Sequence, residues 1–233
     1  MTNLAVIPAR GGSKRIPGKN IRLFAGKPML AWPIGAALRS DLFDRVVVST
    51  DSEDIAAVAR EYGAEVPFMR PAGLSDDHTP TAPVLLHALE RMGELGAMPD
   101  RLCCIYPTAP FVTAEDLRRG AEIMEATGAP AVIAATSFDF PILRAFRTLP
   151  DGSLAFNWPE HELTRSQDLP EFLHDAGQFY WADAGEFRSQ KRLLMPGSRP
   201  VMLPRKRVQD LDTPEDWEAA ELIAALLGLG VEK

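Results

Sequence analysis

The sequence predicts an α/β fold built on a doubly wound, mostly parallel sheet. Short apolar runs suited to buried strands alternate with stretches of helical spacing, the pattern of a parallel sheet covered on both faces. Helix-start signals fall between them: Asp51-Ser52, Thr113 with Asp116 three residues on, and Thr213-Pro214. The 233 residues, 46% of them hydrophobic, suffice for a full core.

Residues 4–7 form an apolar run before Pro8 and read as the first strand, followed by a Gly/Pro/Lys loop to Asn20. Helical spacing covers 28–40, where Pro28 suits a first turn and Pro33 is a candidate kink. A second strand covers 45–50, a capped helix runs to about Gly63, and 64–69 reads as a third strand. Val84, Leu85, Ala88, Leu89 and Met92 mark a helix over 81–95. A strand over 101–106 precedes Pro107-Thr-Ala-Pro110. A helix then runs from Thr113 to Gly128, and a strand covers 131–135. The alternation breaks near Ser137. Residues 138–175, rich in Pro, Phe and charge, read as an inserted lobe or dimerisation arm within a single 1–233 domain. Strands resume at 177–182 and 201–208. The last helix is amphipathic through Trp217, Ala220, Leu222, Ile223 and Leu226.

Charge is unevenly placed. The chain totals −7, yet its first 40 residues hold seven cations and no acid, leaving −14 on the other 193. A basic block on an acidic chain points to a local anion site. The acidic balance and the absence of a nucleic-acid module argue against DNA or RNA as partner. No apolar run reaches the ~18 residues of a membrane helix, and no secretory pattern opens the chain, so a cytoplasmic protein without membrane attachment is expected. Cys103 and Cys104 are adjacent and read as reduced core thiols, and the four histidines show no zinc spacing.

The loop Pro8-Ala-Arg-Gly-Gly-Ser-Lys-Arg-Ile-Pro-Gly-Lys-Asn20 follows a strand, where open α/β sheets bind ligands. Its paired glycines let backbone N–H groups turn inward as an anion nest, and Arg10, Lys14, Arg15 and Lys19 add charge. It is neither a Walker A loop, since Gly12 and Gly18 enclose five residues and Asn20 follows Lys19, nor a GxGxxG fingerprint. Asp210-Leu-Asp212 forms a second constellation. Alternation in an extended segment turns both carboxylates to one side, which suits Mg²⁺ with phosphate oxygens; Asp212 suits a helix entry equally.

The run from Ile7 to Ile21 closely resembles the opening motif of the CMP-sialic acid synthetase family of cytidylyltransferases. The likeness continues through Val48-Ser-Thr-Asp51, Arg70-Pro71, Ala72-Gly-Leu-Ser-Asp76, Pro107-Thr-Ala-Pro110 and Asp210-Leu-Asp-Thr-Pro-Glu-Asp216. It implies a Rossmann-like nucleotidyltransferase that joins CTP to an acidic nine-carbon sugar and releases pyrophosphate. The nucleotide-binding residues would be Ala9, Arg10, Gly11, Gly12, Ser13, Lys14, Lys19, Asn20, Arg70 and Asp76. Arg10 and Lys19 would be catalytic, Lys19 at the α-phosphate; Asp210 and Asp212 would hold Mg²⁺, with Asp212 a candidate base. Where N-acetylneuraminate synthetases carry Arg-Pro-Asn-Gly, this chain has His174-Asp-Ala-Gly177, and Tyr106 stands where they carry Gln. With Thr164-Arg-Ser-Gln-Asp168 upstream, this resembles the pseudaminic acid branch. Tyr106, Arg165, Gln167, His174 and Asp175 would then face the sugar, with Arg165 a candidate for its carboxylate. The alternatives are an N-acetylneuraminate or legionaminate enzyme, or a silent nucleotide-binding subunit on the same fold. The family pairs through its inserted lobe, which implies a homodimer in which Arg165 serves the partner's site.

Overall fold

The computed structural model describes residues 1–230. Its first half runs β1 (Asn3–Pro8), β2 (Leu23–Phe24), β3 (Lys27–Pro28), α1 (Ala31–Ser40), β4 (Arg45–Ser49), α2 (Glu53–Glu61), α3 (Thr81–Glu94), β5 (Arg101–Ile105) and α4 (Ala114–Thr127). The second half runs β6 (Ala131–Ser137), β7 (Phe146–Thr148), β8 (Leu154–Phe156), β9 (Leu173–Asp183), α5 (Ala184–Gln190), β10 (Arg199–Met202) and α6 (Pro214–Leu226).

Six strands form one sheet in the order β10-β6-β9-β5-β1-β4. Five are parallel; β9 runs antiparallel to both its neighbours. The chain winds from β1 to β4 on one side and later places β5 on the other, so β1 and β5 flank a topological switch point. Helices cover both faces. One face buries Ile7, Val48, Cys103 and Trp181 beneath α1 and α4; the other buries Val6, Cys104 and Tyr180 beneath α3 and α5. Adjacent residues of a strand serve opposite layers, which is why Cys103 and Cys104 are both buried, free and apart. α4 lies very close to β9, because a Cβ on Gly120 would stand 2.7 Å from Trp181 Cδ1. Among the described residues no helix is long and apolar enough to cross a membrane.

Several sequence expectations change. Residues 64–69 touch the β4 edge only through isolated bridges at Glu65 and Met69, because Pro67 has no N–H to continue a ladder. Lys27 and Pro28 belong to the β2–β3 hairpin, and the first helix starts at Ala31. Pro33 therefore sits in its first turn, where no intrahelical N–H bond is lost, and makes no kink. β9 begins at Leu173, so His174 and Asp175 are strand residues and the excursion between sheet strands spans 138–172. β10 covers only Arg199–Met202, since Pro204 stops it before a 3₁₀ turn at Arg205–Arg207. In α6 the buried stripe is Trp217, Ala220 and Ala224, while Leu222 and Leu226 face solvent. That helix packs with Phe24, Met29 and Phe111 in a third cluster beneath the basic loop.

Candidate active site

A cleft of about 460 Å³ opens at the carboxyl edge of the sheet, at the switch point. The loop after β1 forms one wall, and Tyr106, Pro107 and Thr108 after β5 form another. Arg70 and the segment from Asp77 into α3 close the side.

The basic loop is pinned at both ends. Ala9 is buried and its N–H donates to the Ser49 carbonyl at 2.9 Å. Asn20, also buried, donates through Nδ2 to the Arg10 carbonyl at 2.9 Å. Gly11 donates its N–H to Asp51 Oδ1 at 2.9 Å, and a Cβ there would meet Ser52 Cβ at 3.1 Å. A side chain at Gly11 would need Ser52 to give by a few tenths of an ångström, whereas Gly12 is open. The left-handed turn of the loop is at Gly18, at φ 63°, rather than at the Gly11-Gly12 pair. Ser13 lines the cleft beside the loop cations.

Each cation rests on an acceptor. Arg10 Nη1 meets Asp77 Oδ1 at 2.6 Å, and Lys14 pairs with the other oxygen of Asp77. Arg15 Nη2 donates to Asp212 Oδ1 at 2.8 Å. Lys19 donates to the Leu211 carbonyl and lies 3.8 Å from Asp212 Oδ1. Burial holds the Lys19 ammonium below its usual value, helped by Arg15 and Arg10 and opposed by Asp212 and Asp210. Arg70 is more deeply set, with a side chain 4% exposed and its nearest carboxylate, Asp51, 3.9 Å away. Its Nε and Nη2 have no hydrogen-bond partner among the described residues. A buried guanidinium left with free donors in a cleft is a site for a polar or anionic ligand.

Leu211 is buried against Ile16, Phe24 and Trp217, so the flanking Asp210 and Asp212 turn away from that cluster. Thr213 and Asp216 form a capping box that starts α6, and Asp216 Oδ2 also accepts the Asp212 N–H at 3.1 Å. No group of three or more His, Cys, Asp and Glu gathers into a metal cage among the described residues. Neither Asp210 nor Asp212 lines the cleft, which Asp212 meets through Arg15 and Lys19. Two hard carboxylate donors at its edge still fit Mg²⁺, which takes one or two carboxylates and completes its shell with phosphate oxygens and water.

Tyr106 lies where this cleft meets a second cavity of about 410 Å³ that His174 and Asp175 also line. Tyr106 shares a hydroxyl contact with Thr81 at 3.1 Å. Asp175 is held by the Tyr180 hydroxyl, at 2.9 and 2.8 Å from its two oxygens, and by the Gly177 N–H at 2.8 Å. His174 Nδ1 lies 2.9 Å from the Asp175 carbonyl. Arg165 and Gln167 line neither cavity. They sit at a 3₁₀ turn of the excursion, where Arg165 pairs with its own Asp168 at 2.7 Å. Asp76 also stays out of the lining, because its Oδ1 accepts the His78 and Thr79 N–H groups at 2.9 and 2.7 Å and closes its own turn.

Sequence reasoning left out Asp77, which takes the lining position beside Asp76, and Asp51, which accepts the Gly11 N–H and lies 3.9 Å from Arg70. The Asp76-Asp77 doublet was a visible signal; only the turn decides which carboxylate faces the cations. Arg15, expected among the loop cations, lines the cleft and bridges to Asp212.

A family model described as cytidylyltransferase matches residues 4–151. A pseudaminic acid cytidylyltransferase of Campylobacter jejuni subsp. jejuni serotype O:2 is 40% identical over 223 residues, covering 96% of each chain. A CMP-N,N'-diacetyllegionaminic acid synthase of Legionella pneumophila is 36% identical over 97% of each. The solved structure of a CMP:2-keto-3-deoxy-manno-octonic acid synthetase complexed with CTP superposes with a TM-score of 0.69 at 19% identity, covering 97% of this chain and 100% of that one, a likeness of fold alone.

Proposed function

Because this chain belongs to the cytidylyltransferase family, we propose that it transfers CMP from CTP to the anomeric hydroxyl of a nonulosonic acid, foremost pseudaminic acid, with release of pyrophosphate. The observation that carries the reading is the cleft itself: four loop cations and a buried, underused Arg70 converge at the switch point. The relatives of 40% identity support pseudaminic acid as the sugar.

In this reading the triphosphate takes over Arg10 and Lys14 from Asp77, and Ser13 adds a hydroxyl donor. Ala9, Gly11, Gly12 and Asn20 shape the loop around it, and Arg70 meets the ribose or base. Asp76 acts through its turn, which presents Asp77. Lys19 faces the α-phosphate from a partly buried position, where a fixed charge acts more strongly than in water. The sugar hydroxyl attacks the α-phosphorus in line. The new O–P bond forms as the bond to the β-phosphate oxygen breaks, and pyrophosphate leaves. Asp212, released from Arg15, is the proposed acceptor of the hydroxyl proton. Asp210 and Asp212 would hold Mg²⁺, which supplies charge for the leaving group and lowers the hydroxyl's pKa. Tyr106, His174 and Asp175 would contact the sugar.

Incubation with CTP, Mg²⁺ and each of pseudaminic, legionaminic and N-acetylneuraminic acid tests this reading. Pyrophosphate release is expected with pseudaminic acid. Turnover of another acid alone would overturn the sugar assignment, and CTP binding with no release from any acid would indicate a silent subunit.

The proposal includes a homodimer acting in the cytoplasm, where CTP is available. The 138–172 excursion supports pairing, because it exposes four large apolar side chains: Phe140 and Leu163, at 84% and 94%, and also Phe146 and Leu154. In a dimer Arg165 and Gln167 would reach the partner's sugar site. Sedimentation at twice the 25.5 kDa chain mass is expected; a monomer would refute this part.

A further inference from the structure

The strap from β10 to α6 carries Asp210 and Asp212, yet it has no regular secondary structure beyond the short turn at Arg205–Arg207. Something must hold it in register. Arg207, three residues before Asp210, does so from inside the protein. Its Nη1 pairs with Asp116 Oδ2 and its Nη2 donates to Asp116 Oδ1 at 2.9 Å, a two-point contact. Nη1 also donates to the Phe111 carbonyl at 3.1 Å. From β9, Gln178 donates to the Arg207 carbonyl. The Asp116 side chain is 2% exposed and also closes the capping box of α4 with Thr113. Burial raises the Asp116 carboxyl, but hydrogen bonds from Arg207 and Thr113 outweigh it and keep the group ionised. The rigid start of α4 and the central strand β9 thus grip one residue of an otherwise irregular segment. Beyond it, the two carboxylates are held by buried Leu211, the cap of α6, and the contacts of Arg15 with Asp212 and of Lys19 with the Leu211 carbonyl.

We propose that Arg207, anchored by Asp116, is a positioning residue that sets how Asp210 and Asp212 face the basic loop, and hence the affinity of the site for a divalent cation. The inference rests on the reading above that these two aspartates bind metal. Groups hydrogen-bonded directly to metal ligands tune affinity about 10- to 100-fold, and Arg207, acting through the backbone, is expected at the lower end of that range.

Removing one partner alone would bury an unpaired charge and destabilise the protein whatever the pair does. The informative variant is Arg207→Met with Asp116→Asn, which removes both charges and keeps an acceptor for Thr113. The readout is Mn²⁺ titrated into the CTP-bound protein without sugar, with free Mn²⁺ followed by electron paramagnetic resonance, so no turnover is needed. The double variant is expected to bind Mn²⁺ about tenfold more weakly at a melting temperature close to that of the parent. Arg207→Lys keeps the charge but not the two-point grip, and should lie between the two. Unchanged Mn²⁺ affinity in the double variant, at any melting temperature, would overturn the inference. If the double variant does not fold, Arg207→Lys decides: weaker Mn²⁺ binding supports the inference and unchanged binding overturns it. Asp212→Asn is the control for the underlying reading. If it leaves Mn²⁺ binding intact, the metal assignment fails and this inference with it. If it weakens binding while the Arg207 variants do not, the inference alone fails.

Discussion

Lys19→Ala is expected to lower kcat about 10²- to 10³-fold, the scale of losing one preorganised charge at a transition state. Its melting temperature should change little. Lys19 is the least exposed of the loop cations that form ion pairs with Asp77 and Asp212, at 19%, and burial opposes its charge. Removing it therefore relieves a desolvation penalty while freeing the Leu211 carbonyl. A drop in melting temperature matching the drop in turnover would instead identify a structural lysine. The pH profile gives a second readout. Because the folded-state pKa lies below 10.5, the ammonium is lost earlier on the alkaline side than in an exposed lysine. The alkaline limb of kcat/KM for CTP, which reports the free enzyme, should then begin below pH 10.5, and Lys19→Arg, which stays charged, should remove that limb even where it lowers the rate. The sign for stability is opposite. In that window the unfolded chain binds the extra proton, so the contribution of this group to stability rises with pH.

Arg70→Met is expected to raise KM for CTP about 10- to 100-fold, from hydrogen bonds to a charged donor of roughly 1.5–3 kcal/mol. The same change should leave the melting temperature equal or higher. The guanidinium is buried, its Nε and Nη2 are unused, and Asp51 lies too far for a hydrogen bond. Methionine fills much of the volume without a charge to desolvate. Kinetics and thermal unfolding read together decide the point. A lower melting temperature with an unchanged KM would make Arg70 a structural residue.

The alternation of apolar runs and helical spacing was enough to locate the main helices and most sheet strands, because strands buried on both faces are continuous apolar segments. The direction of β9 was not legible. Its residues 177–182 look like any buried strand, and only the length and folding of the 138–172 excursion return the chain in the opposite sense. Proline misled in two places: Pro67 prevents a ladder that the composition of 64–69 suggests, and Pro33 is harmless because the hairpin moves the start of the helix to Ala31. At the site, the basic loop could be read locally, since its residues are contiguous. The pairing of Arg15 with Asp212 could not, because those residues are 197 positions apart. Nor could the pairing of Arg207 with Asp116, which depends on how α4 and the strap cross.

That long separation bears on how the protein comes into being. The proposed site joins distant parts: the loop cations belong to the first twenty residues, while Asp210, Asp212 and the helix that follows them come last. During synthesis the sheet can be complete before Asp210 and Asp212 are made. In the proposed reading, joint binding of nucleotide and metal therefore waits for the last stretch of chain, and a chain cut short before Asp210 would leave Arg15 without Asp212 while Arg10 and Lys14 keep Asp77.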